Sequence, residues 1–138
     1  DRYKFPRPTL KRSKYNFSFS GLKTAILYTC KKMTSDELLQ NRSDIAASYQ
    51  EAIIDTLLQK LRIVYKKTNI SKVSVAGGVA ANSRFRAKAN DLSKEIGLNI
   101  HFPKMELCTD NAAMIAWAGI ERYKKNLIDD GTFSARPR

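Results

Sequence analysis

Ser74-Val75-Ala76-Gly77-Gly78-Val79-Ala80-Ala81-Asn82 reads as a strand running into two glycines and then into a helix. Val73 and Val75 supply the β-branched run. Paired glycines at a strand-to-helix turn let a ligand approach the backbone, because no Cβ intrudes and positive φ is open to them. The N–H groups that open the following helix face the same space and favour an anion. A tight turn inside an α/β core produces the same pattern. A second turn, Cys108-Thr109-Asp110-Asn111, also opens a helix, which points to two helix N-termini at one cleft.

Outward from that turn, strands alternate with helices. Val73 and its neighbours over 72–76 form a buried strand. Asn82 to Glu95 form an amphipathic helix with Phe85, Ala89, Leu92 and Ile96 inward and Arg84, Arg86 and Lys88 facing out or toward a ligand. Gly97 is its C-cap. Leu98 to Phe102 form a strand that Pro103 stops. Asn111 to Lys125 form the last helix, free of charge as far as Ile120, which predicts packing on all sides.

Upstream, Asn16-Phe17-Ser18-Phe19-Ser20 alternates like a short strand. Ser20 caps a helix from Leu22 to Met33, and Thr34-Ser35-Asp36-Glu37 restarts a short helical piece. From Ser43 to Lys67, Ile45, Tyr49, Ala52, Ile53, Leu57, Leu61 and Val64 mark one buried stripe of a long scaffold helix. The fold class is α/β with three short strands in a thin, mixed sheet and long helices. The domain reading is a basic extended segment over 1–15, a globular lobe over 16–128 and a basic tail over 129–138.

Composition narrows the function. The chain has 138 residues and a formal net charge of +12, which suggests a polyanionic partner, most often nucleic acid. Arg2, Lys4, Arg7, Lys11, Arg12 and Lys14 load the start, with Tyr3, Phe5 and Tyr15 interleaved as candidate base-stacking groups or as part of a solvated leader. The two cysteines, Cys30 and Cys108, form no CxxC, which argues against a disulfide framework and fits a reducing cytosol. No apolar run reaches the ~20 residues of a membrane span. The absent initiator Met and the thin sheet lead us to expect a piece of a longer protein.

Several residues have both a structural and a chemical reading. Asp110 is placed to cap the last helix or to ligate a cation, and a cap at Thr109 would free it. Asn82 either caps its helix or offers a carboxamide to a nucleoside. Lys23 either meets an acid or phosphate or lies exposed. His101, the only histidine, fits a structural role in a strand. Ser18, Ser20 and the cysteines have no neighbouring base, so a covalent triad has no support.

Phe17-Ser18-Phe19-Ser20-Gly21-Leu22-Lys23-Thr24, the Ala76-to-Asn82 turn and Cys108-Thr109-Asp110-Asn111-Ala112-Ala113-Met114-Ile115-Ala116 together resemble the bacterial branch of the tRNA adenosine threonylcarbamoyltransferases. This is the TsaD/Gcp family, formerly labelled O-sialoglycoprotein endopeptidases. Ile45 to Ala52 and Ser134 to Arg138 carry the same likeness. The resemblance implies an actin/Hsp70-like (ASKHA) nucleotide-binding fold, with this chain as its second lobe. It implies transfer of a threonylcarbamoyl group from threonylcarbamoyl-AMP to N6 of the adenosine following the anticodon in tRNAs reading ANN codons. It makes Asp110 a ligand of one divalent metal, iron or zinc. It makes Asn82 an adenylate contact, with Gly77 and Gly78 as the adjoining wall. Implied partners are tRNA, TsaB- and TsaE-like subunits and an N-terminal lobe carrying a His-x-x-x-His metal pair. The resemblance gives no general base, a cytoplasmic location, and an isolated segment that is inactive. The rival readings are an ATP-binding ASKHA kinase, chaperone lobe or scaffold without transfer, and the older metallopeptidase label.

Overall fold

The computed structural model describes residues 2–8, 15–132 and 134. Helix α1 spans Ser20–Lys31, α2 Ser35–Thr68, α3 Ser83–Ile96 and α4 Ala112–Lys124, and the strands β1 and β2 span Lys72–Ser74 and Asn99–His101. Short 3₁₀ turns occupy Gly78–Ala81 and Met105–Leu107. The strands pair in parallel, Val73 opposite Ile100, with α3 as the crossover between them.

Helix α2 organises the molecule. Thr34 and Glu37 form a reciprocal capping box: the Thr34 Oγ1 accepts from the Glu37 N–H at 3.3 Å, and Glu37 Oε2 accepts from the Thr34 N–H at 2.8 Å. That box runs the expected short piece at Thr34–Glu37 into the long helix, giving one element of 34 residues. Asn69 ends it in the left-handed region at φ 56°. The single expected stripe is also too simple. Ile45 and Ala52 pack with Leu22 and Phe5 on one side, while Ile54 and Leu58 pack with Phe85, Ala89 and Leu92 on another. A helix sandwiched between two clusters buries more than one stripe, so Ile54, Leu58 and Ser48 are core.

The inward face of α3 is as its periodicity predicts: Phe85, Ala89 and Leu92 are buried and Ile96 packs against them. Gly97 closes the helix at φ 72°, its N–H donating to the Ser93 carbonyl at 3.0 Å.

Further expectations fail, among them the buried strand over 72–76, which spans only Lys72–Ser74 and leaves Lys72 and Ser74 exposed. Residues 16–19 form no strand; the chain turns directly into α1, with the Phe19 carbonyl accepting from the Lys23 N–H at 2.8 Å. Phe17 and Phe19 stack on each other, and the sheet has two parallel strands among the described residues rather than three in a mixed one. Ser20 is not the α1 cap; Phe19 holds that position without a side-chain bond. Helix α4 buries no residue, and Trp117 and Ile115 are 66% and 67% exposed. Its charge-free stretch as far as Ile120 needs cover that the described residues do not supply.

The start of the chain is docked rather than solvated. Phe5 is buried edge-on to Tyr49 at 5.5 Å. The Tyr3 N–H donates to Ser48 Oγ at 3.3 Å, Arg2 pairs with Asp44 at 2.7 Å, and Arg7 pairs with Asp55 at 2.8 Å. Phe5 therefore serves α2 rather than bases, and Tyr3 packs partly buried against the same cluster. Tyr15 stays partly exposed beneath the Lys67 ammonium. Asp1, Lys11, Arg12 and Lys14 lie outside the described residues, as does most of the expected 133–138 tail.

Candidate functional site

The glycine turn leaves β1 with Gly77 at φ 88° and ψ 172°, a conformation close to glycine-only. Gly78 needs no positive φ, and a Cβ built on either glycine meets nothing within 4 Å. The backbone here faces open space. Opposite stands the loop between β2 and α4. Ala76, Gly77 and Gly78 on one side and Pro103, Leu107, Cys108, Thr109, Asp110 and Met114 on the other line one cleft of about 440 Å³. The two turns that the sequence singles out thus converge.

Neither Asp110 nor Thr109 caps α4. Asn111 does: its Oδ1 accepts from the Met114 N–H at 3.0 Å, and its Nδ2 donates to the Thr109 carbonyl at 2.9 Å. Asp110 is exposed on the cleft wall, with its carboxylate unclaimed by a hydrogen bond or ion pair among the described residues.

Asn82 takes its structural role. Its Oδ1 accepts from the Phe85 N–H at 2.8 Å as the α3 cap, and its Nδ2 donates to Gln50 Oε1 at 2.8 Å. It lines a second cleft of about 490 Å³ with Ile26, Tyr49, Gln50, Ile53 and Val79. Gly78 borders both clefts, so it joins Asn82 to the space that Asp110 faces.

Arg84 and Lys88 of α3 are not free for a ligand. Arg84 and Lys88 both bind Glu51, at 2.8 Å and 2.6 Å, and Lys88 also binds Asp55, which Arg7 grips from the other side. The hydrogen bond from Arg84, then those from Lys88 against the opposing effect of burial, lowers the Glu51 carboxyl to about 2. Burial pushes Asp55 up, but Lys88 and Arg7 outweigh it and hold the carboxyl below its usual range. Burial likewise opposes the charge on Lys88, and its bonds to Asp55 and Glu51 raise it nonetheless. This network locks α2 to α3.

Arg86 points inward, contrary to the sequence expectation. Its Nε donates to the Ala80 carbonyl at 2.6 Å, its Nη2 to the Pro103 carbonyl at 2.7 Å and to Cys108 Sγ at 3.3 Å, with the guanidinium 4.9 Å from the Phe102 ring centre. Its position on α3 within a basic run gave no sign of this. Lys23 is exposed on α1, and His101 is an exposed strand residue whose carbonyl accepts from the Val75 N–H at 2.9 Å.

The described residues do not by themselves fit a metal ion. No group of three or more His, Cys, Asp and Glu side chains comes together among them, and Cys108, the other candidate donor in the cleft, is buried and bonded to Arg86. No described helix is long and apolar enough to cross a membrane.

A family model described as "TsaD: tRNA N6-adenosine threonylcarbamoyltransferase" matches residues 1–117. Curated relatives bearing that same enzyme name come from Thermosipho africanus, 47% identical over 99% of this chain and 41% of the relative, and from Thermotoga neapolitana, 47% identical over 92% and 38%. A third, from Kosmotoga olearia, is 44% identical over 98% of the chain and 40% of the relative. The chain thus spans about two fifths of the length of the relatives it matches.

Proposed function

We propose, on the premise that this chain belongs to the TsaD family, that it forms part of the nucleotide cleft of a tRNA N6-adenosine threonylcarbamoyltransferase. The observation that carries the reading is the meeting of Gly77-Gly78 and an unclaimed Asp110 carboxylate across one cleft. In this reading the fold is the second lobe of an actin/Hsp70-like enzyme, working in the cytoplasm with tRNA and TsaB- and TsaE-like subunits.

The substrate is threonylcarbamoyl-AMP. Its adenylate lies against the glycine backbone, where the absence of a Cβ permits close approach. Asn82 contacts the adenylate through Gly78's shared border, at the expense of its bond to Gln50. The tRNA adenosine N6 forms a bond to the carbamoyl carbon, the carbon–oxygen bond to the phosphate breaks, AMP leaves, and the N6 proton passes to solvent. This chain's share of the rate is positioning of the adenylate. Asp110 is one ligand of a divalent metal, iron or zinc, whose remaining ligands come from outside this chain. The segment alone is inactive.

The test uses a full-length family member carrying this segment with Asp110→Ala. We expect threonylcarbamoyl-adenosine in tRNA, counted by mass spectrometry, and bound metal both to fall at least tenfold while the fold persists. Unchanged levels of both would remove Asp110 from the site and end this assignment.

A further inference from the structure

We infer that Arg86 is a positioning residue that fixes the distance between the two walls of the cleft. The inference rests on the reading that this cleft takes the adenylate. Arg86 stands behind the cleft rather than in it. Ala80 belongs to the 3₁₀ turn that opens at Gly78, directly after Gly77, while Pro103 and Cys108 bracket the 3₁₀ turn that precedes Asp110. One guanidinium therefore bonds to both walls: to Ala80 at 2.6 Å on one side, to Pro103 at 2.7 Å and Cys108 Sγ at 3.3 Å on the other. The Phe102 ring, itself edge-on to the core residue Phe85 at 5.9 Å, supports the guanidinium plane.

Only arginine does this. Its planar fork presents donors in fixed directions, so three acceptors on two loops are held at once. Lysine offers a single charged point on a flexible stem and cannot span the loops in the same geometry. Among the described residues no other hydrogen bond joins 77–82 to 103–110, so losing the fork lets the walls separate without melting either helix. A displacement of about 1 Å at such a wall is enough to cost on the order of a hundredfold in a positioned reaction.

The test uses a full-length family member with Arg86→Met, Arg86→Lys and, as a control on the same helix, Leu92→Val. Two quantities are read: the alkylation rate of Cys108, followed by mass spectrometry of its peptide, and KM against kcat for threonylcarbamoyl-AMP. Cys108 is 3% exposed beneath Arg86. We expect both Arg86 variants to alkylate Cys108 at least tenfold faster and to raise KM at least tenfold, with kcat changing less than KM. Leu92→Val should resemble wild type in both. Unchanged alkylation, unchanged KM, or a Leu92→Val variant that matches Arg86→Met would each overturn the inference. A wild-type enzyme that does not use threonylcarbamoyl-AMP would end the functional reading instead, and the alkylation rates would still decide whether Arg86 clasps the walls.

Discussion

Asn111 closes the first turn of α4 and leaves its neighbour Asp110 free. The Asn111 Oδ1 takes the Met114 N–H at 3.0 Å, which is the capping bond that a carboxylate one residue earlier was placed to make. With the cap satisfied, Asp110 has no structural duty on α4, and its carboxylate faces the cleft.

This division of labour predicts opposite phenotypes for adjacent residues. Asn111→Ala should cost about 1 kcal/mol of stability, the usual loss of a side-chain cap. Asp110→Ala should leave the thermal midpoint within a degree or two, because no bond is broken. Denaturant unfolding of both variants checks this. An Asp110→Ala variant destabilised as much as Asn111→Ala would mean that the carboxylate caps the helix after all.

The Glu51 network makes a prediction about acid. Its carboxyl is lowered from 4.5 to about 2 in the folded protein, so the unfolded chain binds the proton first as pH falls. The stabilisation is therefore full above about pH 4.5 and is lost as pH falls through about 2. Half-exposed Arg84 weakens the pair by solvent screening. Asp55, also held below its usual range, acts in the same direction. Glu51→Gln should flatten the fall in denaturation midpoint between pH 5 and pH 2. A variant whose curve runs parallel to wild type would show that the pair contributes nothing net.

Much of this was legible in the residues, and the parts that were not have physical causes. The 3.6-residue periodicity of α3 and the Gly97 stop predict that helix closely, because a single buried face writes itself into the sequence. Helix α2 defeats the same method: Ile54 and Leu58 serve a second cluster that one stripe cannot describe. The alternation at 16–20 suggested a strand, but alternation specifies a face and not a partner strand. The charge-free start of α4 predicted burial, yet nothing described covers it. At the site, the two turns were visible as glycine and cap patterns. The convergence of Gly77 and Asp110 on one cleft required the parallel pairing of β1 with β2. The inward turn of Arg86 left no local trace, since basic residues on a helix look alike until their acceptors are known.

The two glycines should separate backbone strain from ligand contact. Gly77 sits at φ 88° and ψ 172°, where a side chain costs on the order of 1–3 kcal/mol. Gly77→Ala should therefore destabilise the protein whether or not nucleotide is present. Gly78 has no such constraint, and an added Cβ meets no protein atom within 4 Å. Gly78→Ala should leave stability within about 0.5 kcal/mol, as for substitutions away from packed features. Its methyl group would instead enter the space in which we propose that the adenylate lies. We expect its affinity for AMP, measured by calorimetry on a full-length family member, to fall at least tenfold. If Gly78→Ala bound AMP as tightly as wild type, the nucleotide would not lie against this turn, and Gly77 and Gly78 would be a turn required by the chain alone.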